Sequence, residues 1–104
     1  MSTESRAQSS VAAPRLLLVE DEPALVRGLS DALRSHGFHV TVATDGQSGL
    51  DAALRGEADL ILLDVMLPQV NGYEICREVR AQGLDVPIVI LTSKGQEADI
   101  ILGL

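Results

Sequence analysis

The sequence predicts a doubly wound α/β fold, in which helices cover both faces of a parallel sheet. Strand-like and helix-like segments alternate along the chain, and most of the strand segments are continuous apolar runs such as "RLLLV" and "LILL". Such runs are typical of parallel strands that are buried on both faces. Glycines and prolines at the segment boundaries mark where several helices begin or end.

Four strands and four helices are predicted in strict alternation. The predicted strands are 15–20, 38–43, 59–63 and 86–92, and the predicted helices are 23–36, 47–54, 72–81 and 95–104. The first helix carries an apolar stripe at helical spacing, which we expect to pack into the core. That stripe comprises Leu25, Val26, Leu29 and Leu33.

The chain of 104 residues, 46% of them hydrophobic, is long enough for one small domain. Residues 1–14, "MSTESRAQSSVAAP", are rich in Ser and Ala and show no periodicity, so they predict a flexible leader. The predicted domain is 15–104.

Charge and cysteine content exclude several classes of function. The net charge of −7 argues against nucleic-acid binding by this chain, because no basic patch is available to neutralise phosphates. No apolar run approaches the roughly 20 residues of a membrane span. The lone Cys76 cannot form an internal disulfide, which suits a reducing compartment. A cytoplasmic protein that does not contact the membrane is predicted.

Oxygen-bearing side chains stand at the ends of three of the four predicted strands. Glu20 and Asp21 stand at the end of the first strand, Asp64 follows the third, and Thr92 ends the fourth. The carboxyl ends of parallel strands meet at one edge of the sheet, where doubly wound folds bind their ligands. We therefore expect these side chains to converge.

Three converging carboxylates repel one another unless a cation lies between them. Hard oxygen ligands suit Mg²⁺, which binds a few carboxylates and often a phosphate oxygen. A carboxylate beside Mg²⁺ and a hydroxyl can attack phosphorus in line, and Asp64 has the central position for that role. Taken singly, Asp64 could be a turn residue, and Glu20 and Asp21 could be charges favoured at a helix N-terminus.

Three motifs carry a resemblance to a known family: "LLLVEDEP", "LILLDVMLPQVNGYEI" and "VPIVILTSKG". Their order and spacing resemble those of the receiver domain of response regulators in two-component signalling, over roughly 15–104. The resemblance implies a flavodoxin-like (CheY-like) sheet of strand order 2-1-3-4-5. The segment "LTSKGQEADIILGL" is similar to the OmpR/PhoB-like subfamily, whose output domain is a winged-helix DNA-binding domain.

The resemblance also implies roles for individual residues. Asp64 would accept a phosphoryl group from a sensor histidine kinase. Asp21 and Asp64 would bind Mg²⁺ directly, Glu20 largely through water, and Met66 through its carbonyl oxygen. Thr92 would bind the phosphoryl group. Such a domain is a phosphoacceptor rather than an enzyme, with at most self-phosphorylation and autodephosphorylation activity.

One departure from the family pattern is large. Family members carry a lysine at the end of a fifth strand, and this sequence, read as strand 4 followed by helix 95–104, has neither the strand nor a matching lysine. Lys94 follows the fourth strand instead. We therefore expect the order 2-1-3-4 with the fifth strand and helix missing, and a fragment of a longer transcription regulator that contacts DNA only through an absent output domain.

Two other functions fit parts of the pattern. A haloacid-dehalogenase-type phosphohydrolase would need a second Asp two residues after the nucleophile, and Met66 occupies that position. A degenerate receiver acting as a non-phosphorylated dimerisation or interaction module is the main alternative. Without a fifth strand, the apolar fourth strand would be an unpaired edge, which predicts homodimers or strand-swapped self-association.

Overall fold

The computed structural model of the protein describes residues 13–92 and 99–102, and this part of the chain forms one five-stranded sheet with three helices. The strands are β1 (Arg15–Val19), β2 (His39–Ala43), β3 (Leu60–Asp64), β4 (Ile88–Thr92) and β5 (Asp99–Leu102). The helices are α1 (Pro23–Ser35), α2 (Gly46–Leu54) and α3 (Gly72–Ala81). None of these three helices is long and apolar enough to cross a membrane. The predicted leader, apart from its last two residues, lies outside the described residues.

Local sequence explains where the helices begin. Pro23 occupies the first turn of α1, where its missing N–H costs nothing. The Asp45 side chain caps α2 by accepting a hydrogen bond of 2.7 Å from the Ser48 amide. Asn71 and Glu74 form a capping box at the start of α3. The three helices α1, α2 and α3 follow β1, β2 and β3 in turn, so each begins near the carboxyl end of a strand.

The strand order is β2-β1-β3-β4-β5, and the first four strands are parallel, as predicted. β1 lies between β2 and β3, with Val19 paired to Leu63. On the other side of β3, Asp64 is paired with Leu91 of β4. The carboxyl ends of the three central strands are therefore level with one another, which is what brings the predicted site residues to one edge.

The prediction of a helix over 95–104 is wrong for the part that the structure describes. Residues 99–102 form β5, which pairs antiparallel with β4. In the register of this pairing, Thr92 is opposite Asp99 and Ile90 is opposite Ile101. The expected absence of any fifth strand, and the expected unpaired edge on β4, are corrected by the same observation. Antiparallel edge strands are common on otherwise parallel sheets.

The reason for this difference is that a short apolar run does not by itself distinguish a helix from a strand. Ile100 and Ile101 are β-branched and suit a strand. β4 also offers a row of backbone groups that need hydrogen-bond partners. Pairing with β5 satisfies those groups, and a separate helix would not.

The core lies on both faces of the sheet. On one side of the sheet, Leu17 and Val19 of β1 form a buried cluster with Ile61 of β3 and with Ile75 and Val79 of α3. Leu16 and Leu18 face the other side, where Leu29 and Leu33 of α1 pack against them. The apolar stripe of α1 is thus confirmed at those two positions, whereas Leu25 is 48% exposed and lies outside the core.

Coverage of the α1 side of the sheet is incomplete over β3 and β4. Parallel pairing places Leu60, Leu62, Val89 and Leu91 on that side of the sheet. All four are only half-buried, whereas Ile61, Leu63, Ile88 and Ile90 on the opposite side are buried. An apolar face therefore remains partly open on the α1 side in the part of the chain that the structure describes.

The pairing of β5 with β4 predicts an alternating response to proline. Successive N–H groups of an edge strand point alternately toward its neighbour and away from it, and proline has no N–H. We expect one of the variants Ile100→Pro and Ile101→Pro to lose about 1–3 kcal/mol more unfolding free energy than the other, because it leaves a β4 carbonyl unsatisfied. Urea denaturation of both variants measures this difference. Equal losses in the two would contradict the pairing.

Candidate metal centre

β1 delivers two adjacent carboxylates to the edge of the sheet. The Glu20 amide donates a hydrogen bond of 3.0 Å to the Ala43 carbonyl of β2, so the chain is still held to the sheet at this residue. The Glu20 side chain is only 2% exposed, and its Oε2 accepts a hydrogen bond of 3.1 Å from the Glu22 amide. Asp21, the next residue, is exposed.

β3 delivers the third carboxylate. Asp64 is the last residue of β3 and is half-buried, next to Leu91 of β4. Its Oδ1 accepts a hydrogen bond of 3.1 Å from the Met66 amide, in a turn just after the strand. Its Oδ2 has no hydrogen-bond partner within residues 13–92 and 99–102. The Asp64 carboxylate is thus oriented by the backbone and still has one oxygen available.

The three carboxylates lie together as the sequence predicted. One carboxylate oxygen from each of Glu20, Asp21 and Asp64 lies within 4.8 Å of the other two. Along the described part of the chain, no Lys or Arg forms a salt bridge with any of them. Burial raises the pKa of the Glu20 carboxyl above its ordinary value, and the negative charges of Asp64 and Asp21 raise it further, although the hydrogen bond from Glu22 opposes the rise.

The composition and spacing of this cluster fit a small divalent cation. Three carboxylates that share one side of a sheet edge offer only oxygen ligands, which Mg²⁺ prefers. A buried carboxylate without a positive partner is unfavourable in the metal-free protein, and a bound cation would remove that cost. Glu20, Asp21 and Asp64 are therefore the residues that could hold the metal.

The remaining predicted site residues are placed only in part. Thr92 ends β4, one residue beyond the partner of Asp64, so its backbone lies at the same edge of the sheet. Met66 is 68% exposed beside Asp64. Lys94, which follows the fourth strand in the sequence, lies outside the described residues.

The loop between β3 and α3 returns close to the Asp64 backbone. The Gly72 amide donates a hydrogen bond of 3.1 Å to the Val65 carbonyl. A Cβ at Gly72 would lie 2.5 Å from the Asp64 carbonyl oxygen, which explains why glycine is needed there. Gln69, at the centre of the loop, has a φ of 75°, a left-handed conformation that is uncommon for a residue other than glycine.

Sequence reasoning missed two glycines that support the site from α2. Gly46 touches the loop after Asp64, and Gly49 touches Val19, the residue that precedes Glu20. The spacing of three residues between them, directly after the capping Asp45, places both glycines on one face of a helix. That spacing was the available signal for a close approach of α2 to the sheet edge.

Known proteins are similar to this chain in sequence. Residues 16–104 match the response regulator receiver domain family. The DNA-binding response regulator MtrA of Mycolicibacterium smegmatis is 46% identical over 90 residues, which are 86% of this chain and 39% of MtrA. The response regulator ArlR of Staphylococcus aureus is 47% identical over 90 residues, 86% of this chain and 41% of ArlR. The chain thus spans about two fifths of the length of these curated relatives.

Solved structures show the same fold. One is the receiver domain of the sensor histidine kinase PA1611 from Pseudomonas aeruginosa, which was solved with a magnesium ion coordinated in its active-site cleft. Its TM-score against this chain is 0.76 at 41% identity, and the match covers 80% of this chain and 70% of the PA1611 domain. The Thermotoga maritima response regulator TrrA, in complex with Mg²⁺ and BeF, has a TM-score of 0.73 at 32% identity, with coverage of 79% and 71%. With a family match over most of its length and an acidic cluster at the carboxyl edge of a doubly wound sheet, this chain belongs to the response regulator receiver domain family.

Proposed function

We propose that Asp64 accepts a phosphoryl group from a phosphohistidine of a sensor histidine kinase, with Mg²⁺ bound at the acidic cluster. The observation that carries the proposal is the cluster itself, in which a half-buried aspartate with one available oxygen lies within 4.8 Å of two further carboxylates. An aspartate with only a structural role in a turn would not need two neighbouring carboxylates, because such a cluster lowers the stability of the fold when no cation is bound.

The transfer is a displacement at phosphorus. Asp64 Oδ2 forms the new P–O bond, the P–N bond to the donor imidazole breaks, and the electron pair of that bond stays on the imidazole nitrogen. The Met66 amide holds Oδ1 at 3.1 Å, which fixes the direction in which Oδ2 points. Mg²⁺, when bound, supplies positive charge that neutralises the phosphoryl oxygens.

We assign the supporting roles as follows. Asp21 and Asp64 would bind the metal directly, because Asp21 is exposed and Oδ1 of Asp64 keeps a second lone pair beside the one that accepts from the Met66 amide, which leaves Oδ2 for phosphorus. Glu20 is buried behind them and acts largely through water, and the Met66 carbonyl completes the protein ligands. Thr92 contributes a hydroxyl to the phosphoryl group, a role supported by its backbone position one residue beyond the neighbour of Asp64.

Receiver domains are generally not enzymes, and we propose that any chemistry here is limited to self-phosphorylation from a small donor and autodephosphorylation. We further propose that the receiver domain occupies 15–104 after a leader, in a cytoplasmic transcription regulator. The names of the relatives support this output, since MtrA is described as DNA-binding and DltR of Streptococcus agalactiae as a transcriptional regulatory protein. The free thiol of Cys76 suits the cytoplasm.

Self-association is a second proposal, and the observation that favours it is the half-open apolar face on the α1 side of β3 and β4. A second copy of this chain that packed on Leu62 and Val89 would bury that face. Alternatively, two copies could exchange β5, so that β5 of one copy makes the antiparallel pairing with β4 of the other. A chain that dimerises and never accepts phosphate would be the interaction module considered above.

Phosphorylation of Asp64 is tested directly by intact mass. With Mg²⁺ and acetyl phosphate, we expect the parent chain to gain one phosphoryl group and Asp64→Asn to gain none, because the amide cannot form the acyl phosphate. Asp31→Asn serves as the matched control, since Asp31 is an exposed aspartate on α1. A parent chain that binds Mg²⁺ but gains no mass would overturn the phosphoacceptor role.

The raised pKa of Glu20 predicts how stability depends on pH and metal. Without metal, the folded chain holds this proton more tightly than the unfolded chain, so stability is lost as the pH rises from about 4.5 through the raised pKa. Glu20→Gln should therefore have a higher Tm than the parent at pH 7 and nearly the same Tm at pH 4. A saturating Mg²⁺ concentration, about 100 times Kd, should add about 2.7 kcal/mol to the parent, or roughly 10–20 °C in Tm.

The same melting curves contain the control for that prediction. Mg²⁺ should raise the Tm of Glu20→Gln less than that of the parent, because one carboxylate of the cluster is gone. Glu78→Gln, which alters an exposed glutamate on α3, should respond to Mg²⁺ as the parent does. Equal Mg²⁺ responses in all three proteins would show that the cation binds elsewhere.

Self-association is tested by size-exclusion chromatography with light scattering between about 10 µM and 500 µM. We expect a concentration-dependent dimer in the parent chain and a monomer in Val89→Lys, because a charge on the apolar face opposes its burial. Leu25→Lys is the control, since Leu25 is an exposed leucine on α1 outside both core clusters. A parent chain that stays monomeric at the highest concentration would rule out the dimer.

A further inference from the structure

The first turn of α2 is joined to the loop that follows Asp64. The Gly46 amide donates a hydrogen bond of 3.0 Å to the Pro68 carbonyl, which also accepts one of 2.9 Å from the Val70 amide. Gly46 is buried, although it is the first residue of its helix. The loop between β3 and α3 therefore packs against the amino-terminal end of α2 at this point.

There is no space for a side chain at this contact. A Cβ at Gly46 would overlap the Val70 carbonyl oxygen and would lie 2.6 Å from the Val70 nitrogen. Non-bonded heavy atoms normally approach to about 3.5–4.0 Å. Because the overlapping atoms belong to the backbone, a side chain at Gly46 would have to displace the loop itself.

One turn further along, Gly49 makes a similar approach to the other half of the site. A Cβ at Gly49 would lie 2.5 Å from Cγ1 of Val19, the last residue of β1. Glu20 and Asp21 follow directly. In this case the neighbour is a side chain, so a smaller residue at position 19 would relieve the overlap.

The turn that carries these glycines is anchored and cannot easily withdraw. The Asp45 carboxylate accepts hydrogen bonds of 2.7 Å from the Ser48 amide and 3.1 Å from the Ser48 hydroxyl. A change at Gly46 is therefore expected to move the loop more than the helix.

We propose that the first two turns of α2 are a positioning element for the acidic site, acting through Gly46 on the loop after Asp64 and through Gly49 on the end of β1. The proposal rests on the proposed function of the same site. Gly46 and Gly49 are positioning residues, because they act on Asp64 and Glu20 through neighbouring backbone and side chain.

The path from Gly46 to the site is short. The segment that Gly46 holds, Pro68 to Val70, begins two residues after Met66, whose amide orients Asp64 Oδ1. Displacing that segment lengthens the hydrogen bond from Met66 and turns the Asp64 carboxylate away from the cluster. Changes to groups that orient metal ligands typically cost 10–100-fold in metal affinity.

The test compares two glycine-to-alanine variants of the full chain by isothermal titration with Mg²⁺. We expect Gly46→Ala to raise the Kd for Mg²⁺ about tenfold and to slow phosphorylation by acetyl phosphate by about the same factor. Gly28→Ala is the matched control, since a Cβ at Gly28 in α1 meets nothing within 4 Å. That variant should keep the parent Kd within about twofold and melt at the same temperature or slightly higher.

A purely structural role for the glycines is separated from a positioning role in two ways. The ¹H–¹⁵N spectrum of folded Gly46→Ala should show a shifted Met66 amide, which Gly28→Ala should not show. Gly49→Ala should also weaken Mg²⁺ binding, and the double variant Gly49→Ala with Val19→Ala should recover at least half of that loss in binding free energy. This second pair keeps the proposal testable if Gly46→Ala fails to fold.

The outcomes are distinct from those for the proposed function. Folded Gly46→Ala and Gly49→Ala that bind Mg²⁺ within twofold of the parent would overturn the positioning role, whatever their melting temperatures. A parent chain that binds Mg²⁺ but is never phosphorylated would overturn the phosphoacceptor role, and the Mg²⁺ affinities of the variants would still decide the role of α2.

Discussion

Ionised carboxylates within 4.8 Å of one another repel, and the sheet is what holds three of them together in this protein. Glu20 remains hydrogen-bonded to β2 through its amide, and Asp64 is still paired with β4. Neither residue can move away without breaking backbone hydrogen bonds between strands of the sheet. The repulsion is therefore retained in the folded chain. Burial raises the pKa of the Glu20 carboxyl, the repulsion raises it further, and a divalent cation would stabilise the resulting site. The surrounding loop and helix contacts serve to keep this arrangement in place.

Much of the fold and of the acidic cluster could be predicted from sequence because both depend on strong local signals. Continuous apolar runs predict buried parallel strands, and the carboxyl ends of parallel strands lie along one edge of the sheet. Glu20, Asp21 and Asp64 were predicted to converge for that reason, and the structure brings them together. The level register of β1, β3 and β4 is the structural fact behind this success.

What could not be predicted depends on tertiary context. The run "DIIL" in β5 is too short for its period to be read, and its strand conformation follows from the unsatisfied edge of β4. The contact of Gly46 with Val70 joins residues that are 24 positions apart, so only the folded backbone shows that a Cβ would not fit. Leu25 is exposed although it shares the helical spacing of Leu29 and Leu33, so the spacing alone did not show where the buried part of the stripe begins.

We expect a divalent cation to bind between the carboxyl ends of β1 and β3. The most direct measurement is a Mg²⁺ titration followed in ¹H–¹⁵N spectra of the full chain. The largest shifts should occur at the amides of residues 20–22 and 64–66, because these belong to the ligands or donate hydrogen bonds to them. Small shifts spread over the acidic surface, with those two segments unchanged, would contradict this expectation.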